Sequence, residues 1–302
     1  MAPLNALLAA ARSGNYAVCY CESWNLESFQ AVVEAAEEMR SPIIAGFNGG
    51  FLRHRSRTRP ERLSYYAGLR RALTESSVPV AFLLNETDDL RQIEEGIELG
   101  FNAVMIESDY LEPGTYRELV ARVVRLAHAK GVSVEAQIGR LPHGGEQSYG
   151  AGQSTDATVA RAFVQETGID ALGVSVGNVH ILTQGKAAID LDCLARIHEQ
   201  VDVPLVIHGG TGFPAEYARK AIALGVAKFN FGTNLKQTYL AAVRERLAHY
   251  DEPMNPHPFL GMGGPEDILT AAREAVKGKV RKLIETYTRV GDRLMTQPSR
   301  SA

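Results

Sequence analysis

Val203-Pro-Leu-Val-Ile-His208-Gly-Gly-Thr-Gly212 is an apolar run that ends in a histidine and passes directly into a glycine-rich turn. A short apolar run bounded by glycine reads as a buried strand. Glycines at 209, 210 and 212 let the backbone close on an anion without Cβ clashes, and Thr211 adds a hydroxyl donor. The stretch therefore predicts a strand, a phosphate cradle and a helix opening behind it, whose free N–H groups and dipole face the anion. His208 stands beside that cradle as a candidate metal ligand. The same logic returns at Lys228-Phe-Asn-Phe-Gly-Thr-Asn234.

On either side of this stretch, short apolar runs alternate with longer stretches of helical periodicity. The predicted strands are residues 16–21, 42–47, 78–84, 103–106, 132–136, 171–176, 204–207 and 227–231. Helices are expected over 25–39, near 61–75 and over 114–130, with a Gly/Arg-rich loop at 48–59. Strict βα alternation implies a parallel sheet with right-handed crossovers, and eight units in a chain of this length fit a closed (β/α)8 TIM barrel. The chain is expected to form a single barrel domain over 1–302, with 251–302 a C-terminal helical extension whose helix runs near 265–288. In such a barrel, functional groups sit where strands end and βα loops begin. The polar residues at those ends are Glu22, Asn48, Asn85, Glu86, Glu107, Gln137, Asn178, His180, His208 and Asn230.

Composition excludes several classes. A chain of 302 residues with 45% apolar content can bury a large core. A net charge of -3 gives no electrostatic case for nucleic acid. The sequence holds neither a long apolar run nor a secretory-type N-terminus, so no membrane association and a cytoplasmic location are expected. Three cysteines, Cys19, Cys21 and Cys193, fit a reducing compartment and lack the paired spacing of a structural zinc site.

These residues resemble the class II (metal-dependent) fructose-bisphosphate and tagatose-bisphosphate aldolase family. The resemblance rests on Tyr16-Ala-Val with Asn25-Leu-Glu27, Leu126 to Glu135, Thr167-Gly-Ile-Asp-Ala-Leu172, Gly177-Asn-Val-His180, His208-Gly-Gly-Thr-Gly212 and Phe229-Asn230-Phe-Gly-Thr233. It implies that His180 and His208 are two of three zinc-binding histidines, the metal acting as a Lewis acid at the substrate ketone. It further implies that Gly209, Gly210, Thr211, Asn230, Gly232 and Thr233 hold the phosphate and the dihydroxyacetone part of a phosphorylated substrate, in a homo-dimer or homo-tetramer.

The departures from the family pattern are as informative. Where the resemblance calls for His-Leu-Asp-His, this chain has Leu83-Leu-Asn85-Glu86, so a proton-transferring aspartate has become an amide and a histidine ligand a carboxylate. Gln137 replaces a second metal-site carboxylate, and Gln147, in Gly144-Gly-Glu146-Gln147, departs from the proton-transfer loop. Gly232 stands where an aspartate is usual, Ile181 where a glycine is usual and Glu22 where an asparagine is usual. An amide orients a substrate but cannot shuttle a proton.

The candidate catalytic set is therefore Asn85, Glu86, Glu146 and Gln147, and the candidate metal set Glu86, His180 and His208. Two histidines and a carboxylate suit divalent zinc, manganese, iron or cobalt. The competing reading is a metal-free site in which Glu86 or Glu146 is the general base. The expected activity is an aldolase-type lyase acting on a phosphorylated ketose and releasing a dihydroxyacetone-phosphate-like fragment. The alternatives are other enediolate chemistry on the same scaffold (a metal-independent lyase, an isomerase or a dehydratase) or a non-catalytic sugar-phosphate-binding protein. Lys228 is weighed as a Schiff-base lysine, and Arg53, Arg55, Arg57 and Arg59 as contacts for a second anionic group. The remaining histidines are expected at the surface or the core edge, with His143 nearest the glycine-rich loop.

Overall fold

A computed structural model describes residues 1–107, 111–142, 144 and 152–288. Eight parallel strands, β1 (Val18–Ser23), β2 (Ile43–Asn48), β3 (Val80–Thr87), β4 (Ala103–Ile106), β5 (Ser133–Ile138), β6 (Ala171–Val174), β7 (Leu205–Ile207) and β8 (Val226–Phe231), close into a barrel in sequence order. The expected (β/α)8 barrel is the architecture found. The helices are α1 (Leu4–Gly14), α2 (Leu26–Glu38), α3 (Gly49–Leu52), α4 (Leu63–Ala67), α5 (Arg70–Thr74), α6 (Leu90–Leu99), α7 (Pro113–His128), α8 (Ala157–Thr167), α9 (Leu191–His198), α10 (Ala218–Ala223), α11 (Thr233–Leu247) and α12 (Ile268–Tyr287). Among the described residues no helix is long and apolar enough to cross a membrane.

Strands covered on both faces are apolar on both faces. Outward-facing side chains such as Phe47, Phe82, Val104 and Phe229 join the helices in one large core, while Val18, Ile44, Ala81, Leu83, Met105 and Val206 fill the barrel interior. The bottom of that interior is stoppered by α1, whose Leu4, Leu7, Leu8 and Ala11 pack into the same inner cluster. Sequence reading missed this helix, although its apolar residues recur at helical spacing.

Three further differences have local causes. The single helix expected near 61–75 is two short ones, α4 and α5, separated at Gly68 and Leu69. β3 runs three residues past its expected end, carrying Asn85 and Glu86 inside the strand. The glycine-rich turn after β7 is a 3-10 turn (Gly210–Gly212) followed by a second one, so α10 starts only at Ala218. The helix predicted to open behind His208 therefore does not supply the cradle; α11, after β8, is the helix that begins at the cavity.

Two ladder irregularities aim the polar side chains. The β7–β8 register steps from Leu205↔Val226 to Val206↔Lys228, skipping Ala227, and this turns Lys228 and Asn230 into the barrel while Phe229 and Phe231 face the outer core. In β3 the register shifts between Leu84 and Thr87, and Glu86 takes a left-handed φ of 50°. The strand's two-residue alternation is broken there, so consecutive residues Asn85 and Glu86 serve the same site.

Replacing Leu8 by alanine leaves a cavity in the barrel's lower plug and is expected to cost about 2–5 kcal/mol. The measurement is urea unfolding, with a lowered midpoint and an unchanged slope.

Candidate active site

The C-terminal ends of the strands surround a cavity of 230 Å³ lined by residues that include Tyr20, Glu22, Glu86, His180, Gly209, Thr211, Asn230, Gly232, Thr233 and Lys236. Glu86 is its hub. Its Oε1 lies 3.6 Å from His180 Nε2 and 3.3 Å from His208 Nδ1. Asn85 Nδ2 donates to Oε1 at 2.8 Å, and Asn48 Nδ2 donates to Oε2 at 2.6 Å. Asn48 also caps α3 by accepting from the Phe51 N–H, which fixes the amide that holds the carboxylate. Burial pushes the Glu86 carboxyl up, but the two imidazoles outweigh it and hold it well below the usual carboxylate range. Burial pulls His180 down, and Glu86 more than reverses this, raising it to about 9.

A buried polar layer lies beneath this hub. Lys228 Nζ donates to both oxygens of Glu135, at 3.0 and 2.7 Å, and all of these side chains are fully buried. Glu135 Oε1 also faces His208 Nε2 at 2.9 Å, with the Asn230 amide 3.1 Å from the same nitrogen. A carboxylate at Nε2 keeps a proton there, and with Glu86 facing Nδ1 the two carboxylates push the ring toward its protonated form, so that Nδ1 would serve as a lone-pair donor only where a cation took the place of its proton. Tyr20 packs under Lys228, its ring centroid 5.1 Å from Nζ. Asn178 clamps the end of β6 to β7, donating to the His208 and Val174 carbonyls and accepting from the Val176 N–H.

One observation bears on whether this donor set suits a divalent cation. His208 Nδ1 is buried without a well-formed hydrogen bond, although Glu86 stands within ion-pair reach. Two ligand atoms about 2.1 Å from a tetrahedral ion lie about 3.4 Å apart, which is close to both separations from Glu86 Oε1. Among the described residues, no group of three or more histidine, cysteine, aspartate or glutamate side chains is placed so that it could hold a metal ion as it stands.

The other expected residues divide clearly. Gly209 adopts φ 69°, and a Cβ there would lie 2.1 Å from the Val179 carbonyl oxygen, so only glycine fits. Thr211 accepts from the Asn234 N–H, tying the two glycine-rich turns together. Thr233 opens α11, whose N-cap, Gly232, provides no side-chain cap. Gly210 is packed against Asn230 and Phe231 behind the cavity wall. Gln137 donates to Glu107 at 3.0 Å, and its own oxygen is buried without a partner among the described residues. Glu146, Gln147 and His143 lie outside the described residues.

Two sequence departures prove to be one steric event. A Cβ on Gly232 would stand 2.7 Å from Glu22 Oε2, so the Glu22 carboxylate fills the space that a side chain at 232 would need. Lys236 of α11 holds Glu22 there through an ion pair. Lys228, by contrast, is locked to Glu135 away from the cavity lining, in a structural position rather than that of a Schiff-base lysine. Arg53 pairs with Asp89 and Arg57 with Glu61, and none of the four loop arginines lines the cavity. Sequence reading passed over Tyr20, the Glu135–Lys228 pair and Lys236; the first three meet inside the closed barrel, where Lys228 Nζ lies between the Glu135 carboxylate and the Tyr20 ring.

Lys228→Met leaves Glu135 as an uncompensated buried charge and is expected to cost about 3–5 kcal/mol of stability in denaturant unfolding, most of it recovered in the Lys228→Met/Glu135→Leu double variant. With a chelator present, the Glu86–His180 pair carries a signed pH dependence. His180 is raised from 6.5, so its contribution is complete below that value and is lost as pH rises through about 9. Glu86 is lowered from 4.5, so its contribution holds above that value and is lost at more acidic pH. The melting temperature under chelation should fall as pH is raised from about 7 to about 10.

Comparison with known proteins agrees with this fold. Residues 2–292 match the family model described as fructose-bisphosphate aldolase class-II. The chain is 34% identical over 313 aligned positions to a fructose-bisphosphate aldolase of Thermus caldophilus, covering 94% of this chain and 97% of that one. The crystal structure of the YdjI aldolase from Escherichia coli K12 superposes with a TM-score of 0.77 at 26% identity, over 97% of this chain and 99% of that chain. A fructose-bisphosphate aldolase of Campylobacter jejuni shares the fold, with a TM-score of 0.74 at 20% identity over 94% of each chain. A barrel whose strand ends gather two histidines and a carboxylate beside two glycine-rich turns, matched along nearly its whole length, belongs to the class-II fructose-bisphosphate aldolase family of generally divalent-metal-dependent, aldolase-type lyases.

Proposed function

We propose that this chain cleaves, and in reverse forms, a C–C bond in a phosphorylated ketose, releasing a dihydroxyacetone-phosphate-like fragment. The observation that carries the reading is that Glu86 and His180 line one cavity with Gly209, Thr211, Gly232 and Thr233, while His208 meets Glu86 from just beneath that wall. In this reading the two turns and the first N–H groups of α11 receive the phosphate, and Asn230 orients the adjoining hydroxyketone. Glu86, His180 and His208 would hold a divalent ion, zinc first and manganese, iron or cobalt next, with Glu135 setting the His208 tautomer from behind. Such an ion supplies Lewis-acid polarisation of the ketone when bound.

Cleavage also requires a base for the hydroxyl on the carbon that becomes the aldehyde, and an acid for the carbanionic carbon left behind. Asn85 cannot do either; its amide donates to Glu86 and holds that carboxylate in place. Proton transfer therefore passes to a carboxylate, and Glu146 is the candidate that the sequence offers. With this altered set, turnover of fructose 1,6-bisphosphate is expected to be weak or absent.

A second reading is favoured by the same short contacts. Glu86 Oε1 within 3.6 Å of both imidazoles is also ion-pair geometry, which suits a metal-free site with Glu86 as base and the histidines polarising a carbonyl. Elemental analysis of the purified protein separates the two. A stoichiometric divalent metal lost from His208→Ala supports the first, and full activity without metal supports the second.

The function is tested with a panel of phosphorylated ketoses, the released triose phosphate being trapped by a coupled reductase. Glu86→Ala should lower kcat/KM by at least about 10²-fold with the fold intact by circular dichroism. Tight sugar-phosphate binding with no turnover on any substrate would favour a binding protein.

A further inference from the structure

The cavity has an apolar opening that the chemistry proposed above leaves unused. Phe51, Ile181 and Leu240, large hydrophobic side chains that are 39%, 37% and 65% exposed, all line it. Ile181 is the informative member. Its φ is 55°, the left-handed region where a β-branched side chain crowds its own backbone and glycine is the residue of choice. The conformation is imposed from both sides: the His180 N–H donates to the Pro142 carbonyl at 2.9 Å, the Gly144 N–H donates to the His180 carbonyl at 2.8 Å, and Leu182 packs beneath Gly212. A strained residue held in this way at a cavity mouth points to a use for its side chain.

The charge around the opening agrees. Lys236, the lysine of the lining, is paired with Glu22 and lies over the Phe51 and Trp24 rings, 4.3 and 5.7 Å from their centroids. Its ammonium is thus already neutralised, and the other two charged groups of the lining, Glu86 and the His180 imidazole, are paired with each other. A second phosphate placed here would meet two carboxylates and two cations already satisfied by them. An uncharged group would meet an aromatic ring and two branched aliphatic side chains.

We propose that the cavity opening is a subsite for an uncharged, partly apolar end of the substrate, with Ile181 as its specificity-determining contact, so that the ligand is a phosphate monoester rather than a bisphosphate. This rests on the phosphate cradle of the preceding section and deepens it.

Calorimetric titration of the purified protein with inorganic phosphate, n-butyl phosphate and butane-1,4-diyl bisphosphate tests the subsite without requiring turnover. Butyl phosphate should bind tighter than inorganic phosphate by about fourfold for each methylene buried, and the bisphosphate no tighter than butyl phosphate. Ile181→Gly should bring butyl phosphate to within about twofold of inorganic phosphate, leave inorganic phosphate unchanged and melt no lower than the parent, because glycine accepts the left-handed φ. Ile181→Asn, which also tolerates that region, should behave alike and serves if the glycine variant folds poorly. The bisphosphate binding tightest, or a butyl advantage untouched by both substitutions, overturns the subsite while the cradle stands. Absence of binding by all three probes overturns the cradle and the subsite together.

Discussion

The ion pair between Glu135 and Lys228 is the constraint on which the active end of this barrel depends. Two opposite charges are sunk in a layer that would otherwise be filled with aliphatic side chains, and each is tolerable only because the other is present. From that pair outward the order follows: Glu135 turns His208, His208 presents Nδ1 to Glu86, and Glu86 gathers Asn48, Asn85 and His180. The lower half of the barrel needs no such device, because α1 closes it with leucine and alanine alone. The polar layer thus marks the boundary between the part of the barrel that supplies stability and the part that supplies chemistry.

Regularity is broken where the chemistry needs side chains that a plain strand would aim elsewhere. Alternation would send Glu86 outward after Asn85, and the left-handed turn at Glu86 brings both to the same side. Skipping Ala227 does the same service for Lys228 and Asn230. Ile181 is the third irregularity, one residue beyond His180. All three lie in or next to the cavity, as expected when local strain is retained for function and supported by a rigid frame.

Departures from the family pattern also gain meaning when they are seen in contact. Glycine at 232 and glutamate at 22 are distant in sequence, yet the carboxylate of one stands where a side chain at the other would have been. The carboxylate at this wall comes from β1, and Lys236 secures it.

The sequence alone determined the barrel, because eight apolar runs alternating with helical periodicity admit few other parallel arrangements, and it marked the two glycine-rich turns and the strand-end residues Glu86, His180 and His208. It did not reveal α1 as a plug, the 3-10 turn in place of a helix after His208, or the pairing of Glu135 with Lys228. Those depend on register and on which face each residue takes, quantities that a bulge of one residue reverses and that no local pattern carries. Partners on different strands become neighbours only when the barrel closes, so the chemistry of single residues was legible in the chain, while their electrostatic coupling was decided by the tertiary structure.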